Sequence, residues 1–535
     1  MSSPSSGIGD KLASIGVLRS AGVFGIERPD KTFKAIAALR RFGPSTAAAL
    51  ETQKARGADR IAVIDDAGIH TWGELADRTA ALARGMHDRG VSAGDKVGVM
   101  VRDQADFIVT LGAIGRIGAD TILLNTSFAP PQIAGVVERE DISAMIFDGE
   151  YSEAAFAGDV SGPRIVAWPE GAPDGCESID SVTASASDRE PPAPESPGRF
   201  VILTSGTTGT PKGANRGAPP SILDAAVLLE RIPLRAGGVT VIGAPMFHSW
   251  GFAHLSMALA LGSTIVVRRR FNPAQVVEDA NRFGADAIVL VPVMLQRMLD
   301  LDQAAGSIVS GKLRIIALSG SALPADLAIR GTGRYGHVLH NLYGSTEVGF
   351  ATIADPADIA AAPGTAGRPP RGTVLKLLDE DGNVVPDGER GRIFIGSSLL
   401  FEGYTGGGGK EVIEGLMSTG DVGRLDAGGR LFVEGRDDDM IVSGGENVFP
   451  EEVEDCLVGH PGVKESAVVG VDDETFGQRL RAVVVRAPGS EVDSDALTEH
   501  VRAHLARYKV PREFIFVDEL PRNATGKVLR RKLAD

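Results

Sequence analysis

Short apolar runs alternate with amphipathic stretches over most of this chain, and that alternation restricts its fold more than any other feature. "DKVGVMV" (95–101) reads as a strand, "ADFIVTLGAIGRIG" (105–118) as a helix and "DTILLN" (120–125) as a strand. "AIVLVP" (287–292), "LRIIAL" (313–318) and "HVLHNLY" (337–343) repeat the theme with helical stretches between them. Continuous apolar strands joined by helices predict parallel sheets covered by helices. From 365 to 435 the pattern changes to short strands with glycine turns, as in "EDGNVVPDGERGRIFIG" and "DAGGRLFVEGR". This predicts a small antiparallel, barrel-like subdomain. After Arg436, "ESAVVGV", "RLRAVVV", "ALTEHVRAHLARY" and "REFIFV" predict a small α+β unit. Residues 171–199, rich in Pro, Ser, Ala and Asp, read as a surface connector. The expected fold class is α/β. A large N-terminal domain spans 1–437, with a basic extension over 1–60, and a small mobile α+β domain spans 438–535. A length of 535 residues also exceeds what one core usually holds.

The net charge of −15 argues against a general nucleic-acid binder, which needs a basic face. Two cysteines, Cys176 and Cys456, stand far apart, which suggests neither a disulfide framework nor a metal cluster and suits a reducing cytoplasm. The first residues lack the long apolar core of a signal peptide. Val239 to Val267 contains no Asp, Glu, Lys or Arg and is long enough to span a bilayer. Pro245, His248, Gly251, His254, Gly262 and Ser263 interrupt it, so it reads as a buried strand, a turn and a buried helix. Residues 1–60 carry ten Lys or Arg against five Asp or Glu. There "KTFKAIAALRRF" can present one apolar helical face. A solvated helix packed on the body is the favoured reading, and weak docking on anionic lipid the sharper one.

"TSGTTGTPKG" (204–213) holds nothing that can pack a core, yet an apolar strand, "FVIL", feeds it and a helical pattern follows. Gly, Ser and Thr in such a loop can present N–H groups and hydroxyls to an anion, and Lys212 adds a charge. The loop reads as a phosphate cradle. It is not a Walker A motif, because the Gly-Lys-Ser/Thr ending is missing.

Five further motifs follow in order: "PMFHSWG" (245–251), "YGSTE" (343–347), "STGD" (418–421), "GRDDDMIVSGGENVFPEEVE" (435–454) and "PRNATGK" (521–527). With these the chain resembles the adenylate-forming superfamily of acyl-CoA synthetases, peptide-synthetase adenylation domains and firefly luciferase, over about residues 60–535. "SGGENVFPEEVE" resembles fatty acyl-CoA ligases most. The resemblance implies that a carboxylate attacks the α-phosphorus of ATP, expelling pyrophosphate, and that the acyl adenylate then passes to a thiol. Positioning and charge stabilisation are what such a protein must supply.

The resemblance implies roles residue by residue. The loop from Thr204 to Gly213 closes over the β- and γ-phosphates, with Ser205, Gly206, Thr207, Thr208, Gly209 and Lys212 as contacts. Tyr343 stacks on adenine and Asn341 meets its amine, while Gly320, Ser321 and Ala322 of "SGSALP" line the other face. Gly344 and Thr346 belong to the same motif, Thr346 facing phosphate and Glu347 holding Mg²⁺. A single carboxylate suits Mg²⁺, which keeps waters and takes phosphate oxygens for the rest. Asp421 accepts both ribose hydroxyls, a task for which two carboxylate oxygens suit a vicinal diol. Arg436 adds a second ribose contact. Asp438 is the hinge about which the small domain rotates, and Lys527 is the catalytic lysine carried on it. His248 borders the acyl pocket. Gly444 and Gly445 let pantetheine pass close to the backbone.

The uncharged run 239–267 suggests a large apolar pocket, hence a medium- or long-chain fatty acid as substrate. The expected activity is that of a fatty-acid–CoA ligase using ATP, Mg²⁺ and coenzyme A. An aromatic acid, or transfer to a carrier protein, is the alternative. A luciferase-type oxygenase and a non-catalytic lipid-binding relative stay open as further classes. The oligomeric state stays open too, a homodimer included.

Overall fold

The computed structural model describes residues 8–23, 28–204, 212–215, 222–302, 307–308, 311–386, 388–405, 407–436, 441–448, 450–521, 528 and 530–534. Two eight-stranded sheets form the large body. In the first, Ile315–Leu318 lies between Ala287–Leu290 and Leu339–Ser345, and Val239–Ile242 and Thr264–Val267 continue the sheet, all parallel. In the second, Lys96–Met100 is central, flanked in parallel by Asp120–Leu123 and Ala144–Phe147. These strands are buried along almost their whole length, as their continuous apolar composition requires. The helix Ala105–Ile117 between Lys96–Met100 and Asp120–Leu123 stops at Gly118, whose φ of +83 ends it in the left-handed region. Antiparallel strands over Val374–Leu378, Gly391–Gly396, Val412–Ile413, Leu416–Leu425 and Leu431–Arg436 make the predicted small subdomain.

A separate five-stranded sheet begins at Ile441. Val463–Asp473 and Gly477–Arg486 form its long hairpin, Glu513–Val517 joins in parallel, and helices Pro450–Val458 and Ser494–His504 pack against it. This small domain sits against the large one. Ala506 lies in the apolar cluster that contains Leu124, Phe128 and Met100. Lys509, fully buried, pairs with the buried Glu452 in the same small domain, and Gln132 Nε2 of the large domain donates to Glu452 Oε1 at 3.1 Å.

Three expectations change in detail. The stretch "FVIL" is the start of the strand Phe200–Thr204, but the chain then turns back as a second strand, Lys212–Asn215, before the helix Ile222–Arg231. Thr204 thus stands opposite Lys212 in an antiparallel pair, so a strand rather than a helix is the next described element; residues 205–211 lie outside the described residues. The connector 171–199 contains a short helix, Ile179–Ala184, capped by Ser178 and anchored by the buried Ile179 and Val182. The uncharged run 239–267 gains a second strand after its helix: Val239–Ile242, Ser249–Leu261 and Thr264–Val267. No helix among the described residues is long and apolar enough to cross a membrane. The basic N-terminus forms the helix Pro29–Phe42, whose Ala38 and Phe42 are buried on the body. Its opposite side leaves Phe33, Ile36 and Leu39 exposed.

Candidate active site

The strand Leu339–Ser345 runs from the core to the edge of the body and turns back into Gly349–Ala354. This hairpin brings Asn341, Tyr343, Gly344, Thr346 and Glu347 to one cleft of about 2740 Å³. Gly344 admits no side chain, since a Cβ there would lie 2.0 Å from Gly349 O. Asn341 is buried and its Oδ1 has no hydrogen-bond partner among the described residues. A buried orphan acceptor is costly unless a ligand donor meets it, and an amine does so. The Tyr343 hydroxyl donates to Asp421 Oδ2 across the cleft. Glu347 is half-buried and accepts from Tyr404 Oη at 2.9 Å.

Gly320, Ser321 and Ala322 line the same cleft, and Gly320 holds a φ of +95. Asp421 is buried in Leu416–Leu425 and its register partner is Arg436, whose side chain lies outside the described residues. Thr204 and Lys212 are placed by their backbone alone. Ser205, Gly206, Thr207, Thr208, Gly209, Asp438 and Lys527 fall outside the described residues.

The small domain enters this cleft through a two-residue turn. Ser443 pairs with Glu446, and Gly444 and Gly445 between them have φ of +61 and +86. Positive φ at both central residues is the requirement of a tight type I′ hairpin, which glycine meets without strain. A Cβ at Gly445 would stand 3.6 Å from Gly320 O, so the turn lies against the segment of the large domain expected to face adenine. The positive φ therefore explains the glycine, since 3.6 Å is an ordinary contact distance; keeping the cleft open beside Gly320 is a second role that the position would serve. A Gly445→Asn variant separates them, because Asn tolerates positive φ while adding bulk to the cleft. Its melting temperature is expected to stay within a few degrees of wild type, while thioester formation falls severalfold. An equal fall in pyrophosphate exchange would leave the turn as the only role.

Directly after the turn, Glu446 Oε1 of the small domain lies 2.8 Å from Nε2 of His248, the N-cap residue of the helix Ser249–Leu261. Burial disfavours both charges. The mutual attraction outweighs it, so the His248 pKa is raised and the Glu446 pKa lowered. Asp103 stands close enough to influence His248, accepts from Met246 N at 2.9 Å, and is pushed up by burial to about 7. Sequence reading named His248 but neither Glu446, Tyr404 nor Asp103 as site residues. Glu446 stood in a quoted motif; the other two lie in stretches with no motif character.

Beyond His248 the cleft becomes apolar. Phe200 and Phe252, with ring centroids 4.8 Å apart, wall it, and Met257, Ala49 and Leu39 carry it toward the N-terminal helix.

A parallel α/β body, a cleft with room for a nucleotide and more, and a small domain that reaches into it define an adenylate-forming enzyme. The chain belongs to the AMP-binding enzyme family: residues 50–405 match the AMP-binding enzyme domain and 452–527 its C-terminal domain. It is 33% identical to a feruloyl-CoA synthase from Amycolatopsis sp., over 86% of this chain and 92% of that protein. It is 31% identical to an indoleacetate–CoA ligase from Aromatoleum aromaticum, over 86% and 91%. Among solved structures it resembles the amide bond synthetase McbA from Marinactinospora thermotolerans, with a TM-score of 0.81 at 26% identity over 92% of this chain and 99% of that one. It also resembles o-succinylbenzoate CoA synthetase from Bacillus subtilis. The TM-score is 0.78 for the form bound with a product analogue, at 26% identity, covering 91% and 98%. It is 0.65 for the form with the acyl-adenylate intermediate, at 27% identity and the same coverage.

Proposed function

We propose that this enzyme joins an uncharged, largely apolar carboxylic acid to coenzyme A through an acyl adenylate, and that an aromatic acid is its substrate. The observation that carries the thiol-transfer step is the Gly444–Glu446 turn seated in the cleft, with Glu446 on His248. The better match to a product-analogue complex than to an adenylate complex of one relative supports reading this orientation as the thioester-forming one.

In this reading Asn341 receives the adenine amine, Tyr343 stacks on the ring, and Asp421 takes the ribose once Tyr343 releases it. The Glu347 carboxylate, aimed into the cleft beside Thr346, fits an oxygen ligand for Mg²⁺ on the ATP phosphates. That ion would neutralise phosphate charge as the carboxylate approaches. The small domain then rotates about a hinge near Asp438, withdrawing Lys527 and bringing Gly444 and Gly445 beside the acyl adenylate.

The fatty-acid expectation drawn from the uncharged run gives way to an aromatic one. Relatives acting on ferulate and indoleacetate, and the ring pair of Phe200 and Phe252, favour an aryl group against the pocket wall. The branch toward Leu39 keeps a long alkyl acid as a second reading. A pyrophosphate-release screen decides, run over phenylpropanoid acids and straight-chain acids of graded length, with coenzyme A, a carrier protein or an amine as acceptor. Arylalkyl acids with coenzyme A are expected to give the highest kcat/KM. Alkyl acids would instead gain roughly 0.8 kcal/mol per buried CH₂ until the branch is full, and such a rising series beyond the aryl acids would overturn the aromatic assignment.

A further inference from the structure

The small domain carries a cluster of metal-ligating side chains that the ligase chemistry does not use. Cys456 lies on the helix Pro450–Val458, and His500 and His504 stand one turn apart on the helix Ser494–His504. One ring nitrogen of each histidine and Cys456 Sγ lie within 4.8 Å of one another. The rings of His500 and His504 are 4.4 Å apart, and His460 closes the far side with its ring 5.1 Å from that of His500. The whole chain has nine histidines and two cysteines, so a third of the one and half of the other meet in this patch. Neither cysteine spacing nor any local motif announces it, because the two helix faces are joined only by the fold.

The hydrogen bonds set the chemistry of each ring. His500 Nε2 lies 2.9 Å from Cys456 O, and His504 Nδ1 lies 2.7 Å from His500 O. A carbonyl only accepts, so each of these nitrogens carries the proton and the other nitrogen of each ring carries the lone pair. Metal-bound histidines are commonly held by such an N–H to carbonyl bond. His460 differs: its Nδ1 accepts from Gly462 N at 3.0 Å, which leaves its proton on Nε2. It is therefore a flanking donor rather than a ligand.

We propose that Cys456, His500 and His504 form a binding site for a divalent transition metal, zinc foremost, that ties the helices Pro450–Val458 and Ser494–His504 together. A mixed thiolate–imidazole set is the donor type zinc prefers, and three protein ligands leave a fourth position for water. Ligands of tetrahedral zinc stand roughly 3.5 Å apart, so a set lying within 4.8 Å must draw together by about 1 Å on binding. None of the three residues lines the cleft, so occupancy stiffens the domain without touching the reaction centre. Binding expels the thiol proton, and zinc affinity rises with pH.

The test uses the full chain without a polyhistidine tag, kept reduced, stripped with chelator and then given Zn²⁺ or Co²⁺ alone. One metal per chain should survive desalting. The cobalt form should show a thiolate charge-transfer band, and zinc should raise the melting temperature. Cys456→Ser should abolish the charge-transfer band. His504→Gln, at an exposed position that tolerates polar replacement, should weaken zinc at least about tenfold. Pyrophosphate exchange should remain at the wild-type rate in both. Loss of zinc from the wild type on desalting overturns the site, as does zinc retained equally by the two variants.

Discussion

Replacing Lys527 with alanine is expected to slow acyl-adenylate formation by roughly 10²- to 10³-fold, the usual cost of removing one donor aimed at developing negative charge. Two anions, the acid and the α-phosphate, must meet in that step, and a lysine carried by the small domain would bridge them. The same substitution should leave acyl-CoA formation from a supplied acyl adenylate almost unchanged. In the orientation proposed above for that half-reaction, the small domain places Gly445 and Glu446 in the cleft. Pyrophosphate exchange and single-turnover thioester formation, measured side by side, separate the two steps. A matched loss in both would make Lys527 a structural residue.

Glu446→Gln is expected to do the reverse, sparing pyrophosphate exchange and lowering thioester formation. The pair with His248 links the two domains and exposes about a third of one side chain and a quarter of the other. Its worth lies between that of an exposed pair and a buried one, about 1–3 kcal/mol. This amounts to roughly a 5- to 150-fold shift in the population of the thioester-forming orientation. The sign with pH follows from the two shifts. Glu446 is lowered and His248 raised. The attraction of charged forms is therefore present above the Glu446 pKa and is lost as the pH rises through the raised pKa of His248. Interdomain fluorescence transfer should report an orientation that loosens on that alkaline side in the wild type and is insensitive there in the Glu446→Gln variant. A pH response shared by both proteins would remove this pair from the account.

The layered body was legible because its signals are local and redundant. Strands such as Ala287–Leu290 are apolar throughout, and the helix Ala105–Ile117 ends on a glycine. The strand Lys212–Asn215 was missed because "KGAN" has no apolar run; it exists through pairing with Phe200–Thr204 on one side and Gly403–Tyr404 on the other. The helix Ile179–Ala184 hid in a Pro- and Ser-rich stretch because two buried side chains suffice to hold it. Motif resemblance pointed to Asn341, Tyr343, Glu347 and Asp421, and the fold gathers them in one cleft. The partnership of His248 with Glu446 was not legible, since 198 positions and a domain boundary separate them. The proposed change from alkyl to aromatic acid rests on a contact of the same long-range kind. An uncharged run shows that a pocket is apolar, but Phe200, which shapes its wall, comes from a different sheet.

The buried pair of Lys509 and Glu452 bears on the rotation proposed for the small domain. Both ions belong to the small domain, and among the described residues Gln132 of the large domain donates to Glu452. Each charge thus travels with its own counterion. For this pair, the proposed rotation would break one hydrogen bond, worth about 1 kcal/mol net, instead of stranding an ion inside protein at several kcal/mol. Were this fully buried pair itself split across the boundary, the proposed rotation would have to strand both ions, unlike the partly exposed pair of His248 and Glu446.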